Sequence, residues 1–247
     1  MIRLLRSQPE PSALAVQRAQ ELPKLRLLPQ VHGDDIDGYQ VARDALYFCQ
    51  FGKCCYCEQS FERKHRPVEH FRPKSIYWWL SWTWENLLFC CEVCNEYKSD
   101  RFPLRRVPRL IAEQAPPGRE KPMLIDPTLE NPMEHLRFAL FSGRWLLIPR
   151  NGSVRGAEII KICRLNRPDL VERYNIFSQL LLDRVESFHR TLESGQASAI
   201  QDDWDRLTGR WLSPRSPFTA LSHDILDHHF PATLRRRHNL ALHIEII

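Results

Sequence analysis

The sequence predicts an α+β chain, mostly helical, and three observations carry that reading. Two cysteine pairs, Cys54-x2-Cys57 and Cys91-x2-Cys94, bracket a gap wide enough for a β-hairpin. Apolar residues flank Ser142-Gly143 on both sides (Phe138, Leu140, Trp145, Leu147), the pattern of a second hairpin. Leu170, Tyr174, Phe177, Leu181, Val185, Phe188 and Leu192 recur at steps of four and three, one face of a long helix.

The elements follow in order. Residues 1–30 are basic, with scattered leucines broken by Pro9, Pro11, Pro23 and Pro29, and read as an extended arm with a helix near 12–21. Residues 37–51 read as a helix with Val41, Ala45, Phe48 and Cys49 on one face. A hairpin is expected over 66–90, with an aromatic tip of Tyr77, Trp78, Trp79, Trp82 and Trp84 that packs the core or meets a partner. Residues 105–122, with Pro108, Pro116, Pro117, Gly118 and Pro122, read as a surface loop. Asn166 and Pro168 start the long helix, another runs from about 196 to 206, and Pro231 breaks the last segment. This divides the chain into an arm (1–36), a metal-bearing core (37–110), a loop with its hairpin (111–152) and a helical region (153–247).

Each Cys-x2-Cys turn offers two sulfurs to one ion, and zinc takes them in fours. Met1-Ile-Arg-Leu-Leu-Arg lacks the apolar core of a leader, so a cytoplasmic setting is expected, where clustered cysteines hold metal more often than disulfides. Cys54, Cys57, Cys91 and Cys94 are therefore the expected structural Zn²⁺ ligands. Cys55 and Cys90 each neighbour one of them, which leaves a change of ligand by one residue open. Cys49 and Cys163 read as small buried hydrophobes.

Around the cysteines stand Val68-Glu69-His70-Phe71-Arg72-Pro73-Lys74, then Trp84-Glu85-Asn86, then Cys94-Asn95-Glu-Tyr-Lys98. This order resembles the HNH endonucleases, which implies a ββα-metal core: a strand with an acid and a histidine, a loop with an asparagine, and a helix at the second cysteine pair. Phosphodiester cleavage needs an activated water and a neutralised phosphate, and Mg²⁺ or Mn²⁺ can supply the Lewis acid. The resemblance makes Glu69 and Asn95 the ligands of that cation, His70 the general base, and Asn86 a support that bonds backbone. Lys98 falls near the scissile phosphate, with Arg72 and Lys74 as substrate-binding cations. Alternation along a regular strand would part Glu69 from His70, so a bend or a strand end must bring both to one site. Each residue also has a structural reading: Glu69 can pair with Arg72, and Asn86 can cap a helix.

A closer resemblance covers roughly residues 40–190. Lys53-Cys-Cys-Tyr-Cys57-Glu58, Val68 to Lys74, Tyr77-Trp-Trp-Leu80, Phe102-Pro-Leu104, Leu124-Ile-Asp-Pro127 and Leu165-Asn-Arg-Pro168 are similar to the PtuB family, the nuclease subunit of Septu anti-phage systems, found also beside some retrons. Cys55 departs from the small residue usual there. The resemblance implies a PtuA-like ATPase partner of the ABC/SMC type. In retron-linked versions it adds a reverse transcriptase and its RNA–DNA product.

The net charge of +5 suits contact with phosphates without demanding it, and the apolar runs are too short to cross a membrane. The expected substrate is DNA. Two rivals stay open: an RNA- or tRNA-cleaving toxin on the same fold, and a zinc-bearing interaction subunit without catalysis. His223, His228, His229, His238 and His243 lack ligand spacing beyond Asp224 and Asp227 and read as a solvated or interface surface. Arg235-Arg236-Arg237 fits nucleic acid, an acidic partner or a solvated helix face.

Overall fold

The computed structural model describes residues 1–63, 67–105, 113 and 121–244. The chain is α+β. Its helices are α1 (Ser12–Leu25), α2 (Arg43–Cys49), α3 (Glu92–Lys98), α4 (Val154–Ile162), α5 (Pro168–Ser194), α6 (Ala197–Trp211), α7 (Thr219–His229) and α8 (Ala232–Arg237). Its strands are β1 (Val68–His70), β2 (Leu87–Phe89), β3 (Leu136–Phe141) and β4 (Arg144–Pro149). They form two separate antiparallel pairs, β1 with β2 and β3 with β4. No described helix is long and apolar enough to cross a membrane.

The first pair sets Glu69 opposite Leu88 and His70 opposite Leu87, and α3 follows β2 after two residues. A short strand pair of this kind cannot hold itself together in water. Here it is covered on both faces. Leu14 and Leu25 of α1 and Leu46 of α2 join Val68, Trp82, Trp84, Leu87 and Phe89 in one apolar cluster. Leu88 and Phe71 belong to a second, larger cluster that runs through the cysteines, β3, β4 and helices α4 to α7. The alternation of β2 thus sends Leu87 and Phe89 one way and Leu88 the other.

Residues 1–6 lie along this core. Ile2 and Leu4 are buried in the larger cluster, and the Leu4 amide donates to the Pro127 carbonyl at 2.8 Å. The Arg6 guanidinium donates to the carbonyls of Glu85 and Leu87 and lies 4.9 Å from the Trp84 ring, clamping the start of β2.

The segment 37–51 corrects the expected helix face. Tyr39–Ala42 is a 3₁₀ turn and only Arg43–Cys49 is α-helical. The tighter turn shifts the phase, so Ala42, Leu46 and Cys49 face the core while Val41 and Phe48 are exposed. Of the aromatic run, Tyr77, Trp82 and Trp84 are buried. The proline-rich loop lies mostly outside the described residues. At its ends the Arg105 amide donates to the Lys121 carbonyl, and within it Glu113 takes two bonds from Arg26.

The second hairpin turns at Ser142 and Gly143, both with left-handed backbone (φ 46° and 77°), as a two-residue hairpin turn requires. Helix α5 buries Leu170, Tyr174, Leu181, Val185 and Phe188. Its start is Pro168, but Asn166 does not cap it: that amide accepts from the Leu147 amide at 2.9 Å and donates to its carbonyl at 2.7 Å, pinning α5 to β4.

Candidate metal centre and active site

The two cysteine turns are brought together by backbone. The Cys55 amide donates to the Phe89 carbonyl at 3.1 Å. The buried Gln50 amide donates to the carbonyls of Lys53 and Phe89, and its oxygen accepts from the Phe89 amide at 2.7 Å. These bonds lay residues 53–55 alongside 89–91. Cys91 then caps α3, its sulfur accepting from the Cys94 amide at 3.4 Å.

The sulfurs of Cys54, Cys57, Cys91 and Cys94 lie within 4.8 Å of one another, all buried. A tetrahedral zinc with sulfurs at about 2.3 Å would set them roughly 3.8 Å apart, and the Cys57 and Cys91 sulfurs are 3.9 Å apart. The donor set fits a structural metal ion such as zinc. Contact with Cys54 raises the Cys91 thiol, and contacts with Cys57, Cys90 and Cys94 outweigh it, bringing it down to about 5. The Arg167 guanidinium donates to the Cys94 sulfur at 3.6 Å and sets a positive charge beside the thiolates.

Among the described residues, the groups of three or more His, Cys, Asp or Glu side chains close enough to share an ion are all cysteines. The late histidines are placed differently. His223 bonds Asp224 at 3.1 Å, and His228 packs edge-on to Trp145.

Strand β1 is regular, so Glu69 and His70 do face opposite sides. The Glu69 carboxylate is buried. Its Oε1 accepts from the Tyr56 hydroxyl at 3.1 Å and lies 2.7 Å from the Lys98 ammonium. Burial raises the Glu69 carboxyl above its ordinary range, more than Lys98 and Tyr56 lower it. Glu69 therefore pairs with Lys98, not with Arg72. Lys98 is fully buried, and its ammonium also donates to the His70 carbonyl at 2.7 Å. Its charge is held inside the fold, on Glu69 and the backbone of β1.

His70 is 7% exposed and lies edge-on to the Tyr39 ring, centroids 4.5 Å apart. Its Nε2 is 3.0 Å from the Ser81 carbonyl oxygen. A carbonyl only accepts, so Nε2 carries the proton and Nδ1 keeps a lone pair. Burial pushes the imidazole down to about 3, although the Ser81 carbonyl works against it. The ring is thus neutral at working pH.

Asn86 ties the loop to the exit of β1. Its oxygen accepts from the Arg72 amide at 2.9 Å, and its nitrogen donates to the carbonyls of Arg72 and Leu80. Arg72 is itself buried, its guanidinium 5.6 Å and 5.7 Å from the rings of Phe71 and Phe102. Lys74 donates to the Ile36 carbonyl at 3.0 Å and lies over Tyr39. Asn95 sits half-buried on α3, one turn before Lys98.

Tyr56, Ser81, Gln50 and Tyr39 were not singled out by the sequence. Tyr56 lies inside the first cysteine turn, where a polar aromatic between ligands was the available signal. Ser81 contributes only its carbonyl, which any residue would supply.

The fold and the site define a class: an α+β protein whose short strand pair and following helix are stapled by a buried cysteine cluster able to hold a metal ion. No family model matches the chain, and no solved structure does. The chain is homologous to Septu protein PtuB. It is 30% identical over 151 residues to the PtuB of Bacillus mycoides (strain KBAB4), covering 55% of this chain and 50% of that one. It is 24% identical over 169 residues to the PtuB of Bacillus thuringiensis, covering 67% and 56%. It is also 28% identical over 143 residues to Septu protein PtuA of Bacillus mycoides (strain KBAB4), covering 52% of this chain and 20% of that protein. The chain spans about half the length of the PtuB relatives it matches.

Proposed function

We propose that the chain is a metal-dependent HNH endonuclease of anti-phage defence, acting with a PtuA-like ATPase on nucleic acid, DNA first. Homology to PtuB supports the defence role. The observation that carries the chemistry is the bond from His70 Nε2 to the Ser81 carbonyl at 3.0 Å. It fixes the tautomer in which Nδ1 keeps the lone pair, the nitrogen a general base must present to the attacking water. His70 takes the proton of the attacking water on Nδ1, and the imidazolium so formed keeps Nε2–H on Ser81.

The order β1, β2, α3 with the cysteine cluster at its base supports a ββα-metal reading of residues 68–98. Zinc on Cys54, Cys57, Cys91 and Cys94 stabilises this small unit, which has little apolar area of its own. Glu69 and Asn95 are the residues that would hold Mg²⁺ or Mn²⁺, which when bound supplies charge neutralisation for the phosphate. Glu69 is held on Oε1 by Tyr56 and Lys98 and faces away from His70, so the ligand role requires the strand end at His70 to turn both groups toward one phosphate. Lys98 and Tyr56 hold the carboxylate, and Asn86 holds the turn after His70.

The test is cleavage of plasmid DNA and of total tRNA, side by side, by wild-type and His70→Ala protein. Each is assayed with and without Mg²⁺ or Mn²⁺, in the presence of the ATPase. DNA cut only with metal and His70 is the expected result. Cleavage of tRNA alone would keep the site and change the target. Cleavage that survives His70→Ala would end the general-base assignment.

A further inference from the structure

The metal reading uses four cysteines, yet six sulfurs are contiguous. Cys54, Cys55 and Cys90 form a second group whose sulfurs also lie within 4.8 Å of one another, and it shares Cys54 with the first. The Cys54 and Cys90 sulfurs are 3.7 Å apart, close to the edge of a metal–thiolate polyhedron. Cys55 and Cys90 are 3% and 0% exposed. A buried cysteine ordinarily serves as a small hydrophobe. Cys49 and Cys163 fit that description, since neither joins a sulfur group, although both are buried. Cys55 and Cys90 do not, because their sulfurs converge on a third.

The backbone explains how. Cys54 opens a turn closed by the Glu58 amide bond to the Cys54 carbonyl, with Cys55 inside it, and Cys90-Cys91 is the stretch that joins β2 to α3. The Cys55 amide bond to the Phe89 carbonyl and the Gln50 clamp align the two segments. The aligned segments bring Cys91 to Cys57 and Cys94, and bring Cys90 to Cys55, with Cys54 common to both groups.

We propose that Cys54, Cys55 and Cys90 form a second metal site for a soft d¹⁰ ion, with the Cys54 thiolate bridging it to the ion in the four-cysteine site. It rests on the four-cysteine metal reading above. Three sulfurs in a buried pocket suit an ion that accepts low coordination and prefers thiolate. The charge balance favours it. A divalent ion on four thiolates leaves a net charge of −2, with Arg167 beside it. Entry of a second divalent ion breaks the S–H bonds of Cys55 and Cys90 and releases two protons to solvent. It forms bonds to those two sulfurs and to the lone pair of Cys54, so the net charge stays at −2. No additional charge is buried.

The experiment is metal stoichiometry of the full chain with Cd²⁺ as the probe. It is followed by the sulfur-to-cadmium absorption band and by ¹¹³Cd NMR. Wild-type protein is expected to take two equivalents, giving two resonances coupled through the Cys54 sulfur. Cys55→Ala/Cys90→Ala is expected to take one equivalent and to lose the coupling. Cys55→Ala alone gives the same readout should the double variant fail to fold. One equivalent in wild type and in both variants would overturn the second site and leave the four-cysteine site standing. One equivalent in wild type and none in the variants would overturn the four-cysteine assignment, and with it the bridged pair.

Discussion

Lys98 and Glu69 meet at 2.7 Å, with side chains 1% and 3% exposed, so the last turn of α3 is joined to β1 through an ion pair almost wholly out of water. The same ammonium donates to the His70 carbonyl, one residue along the strand. A single cation therefore sets both the carboxylate and the backbone that carries the proposed base. Removing one member of such a pair is costly, because the other charge stays buried.

Lys98→Met is accordingly expected to cost about 3–5 kcal/mol of stability, the range for breaking a buried pair. The double variant Glu69→Gln/Lys98→Met is expected to recover a large part of it. Urea denaturation of wild type, both singles and the double closes the cycle. A double variant no more stable than Lys98→Met would show that the pair is not the source of the loss.

His70→Ala and Cys57→Ser separate two roles. His70→Ala is expected to lower cleavage by roughly 10²–10⁴-fold, the ordinary worth of a general base, with near-ultraviolet circular dichroism retained. Cys57→Ser is expected to lose bound zinc and tertiary structure together, as wild type should on treatment with a strong chelator. Equal loss of structure in both variants would refute the division.

Asn86→Ala removes three buried hydrogen bonds, those to the Arg72 amide, the Arg72 carbonyl and the Leu80 carbonyl. A cost of about 1–3 kcal/mol is expected from the loss of several buried hydrogen bonds at roughly 0.5–1.5 kcal/mol each. Cleavage per folded molecule should fall as well, since this amide positions the turn after His70. Thermal melts paired with turnover would read the two effects apart.

Glu130 gives a pH dependence far from the cysteines. Burial raises its carboxyl, but the two Arg155 contacts at 2.5 Å and 2.6 Å outweigh that and hold it below its ordinary value of 4.5. With the folded value depressed, the unfolded chain binds the proton more readily, and stability from this group is lost as pH falls. The contribution is fully present above the ordinary value and fades through the lowered one. Glu130→Gln should therefore lower the melting temperature at neutral pH, with a gap to wild type that narrows below about pH 4. A constant gap would point to packing instead of charge.

How much of this was legible in the sequence depends on the range of the interaction. The second hairpin, α5 and the cysteine turns were readable, because turn residues, helical spacing and ligand spacing are local signals. The face of α2 was misread, because a 3₁₀ turn at Tyr39–Ala42 altered the phase and nothing local marked it. Glu69 was offered Arg72 as a structural partner, a neighbour in sequence, and took Lys98, a neighbour in space.

By itself the sequence determined which residues can carry metal and proton chemistry, since side-chain type and short spacing are chemical facts that need no fold. Only the tertiary structure decided their states. It chose which sulfurs converge, which nitrogen of His70 keeps its lone pair, and which cation meets Glu69. Those outcomes hang on a carbonyl at Ser81, a clamp at Gln50 and an ammonium on α3. Each is a contact between segments far apart along the chain, and burial makes its energy large enough to fix one arrangement.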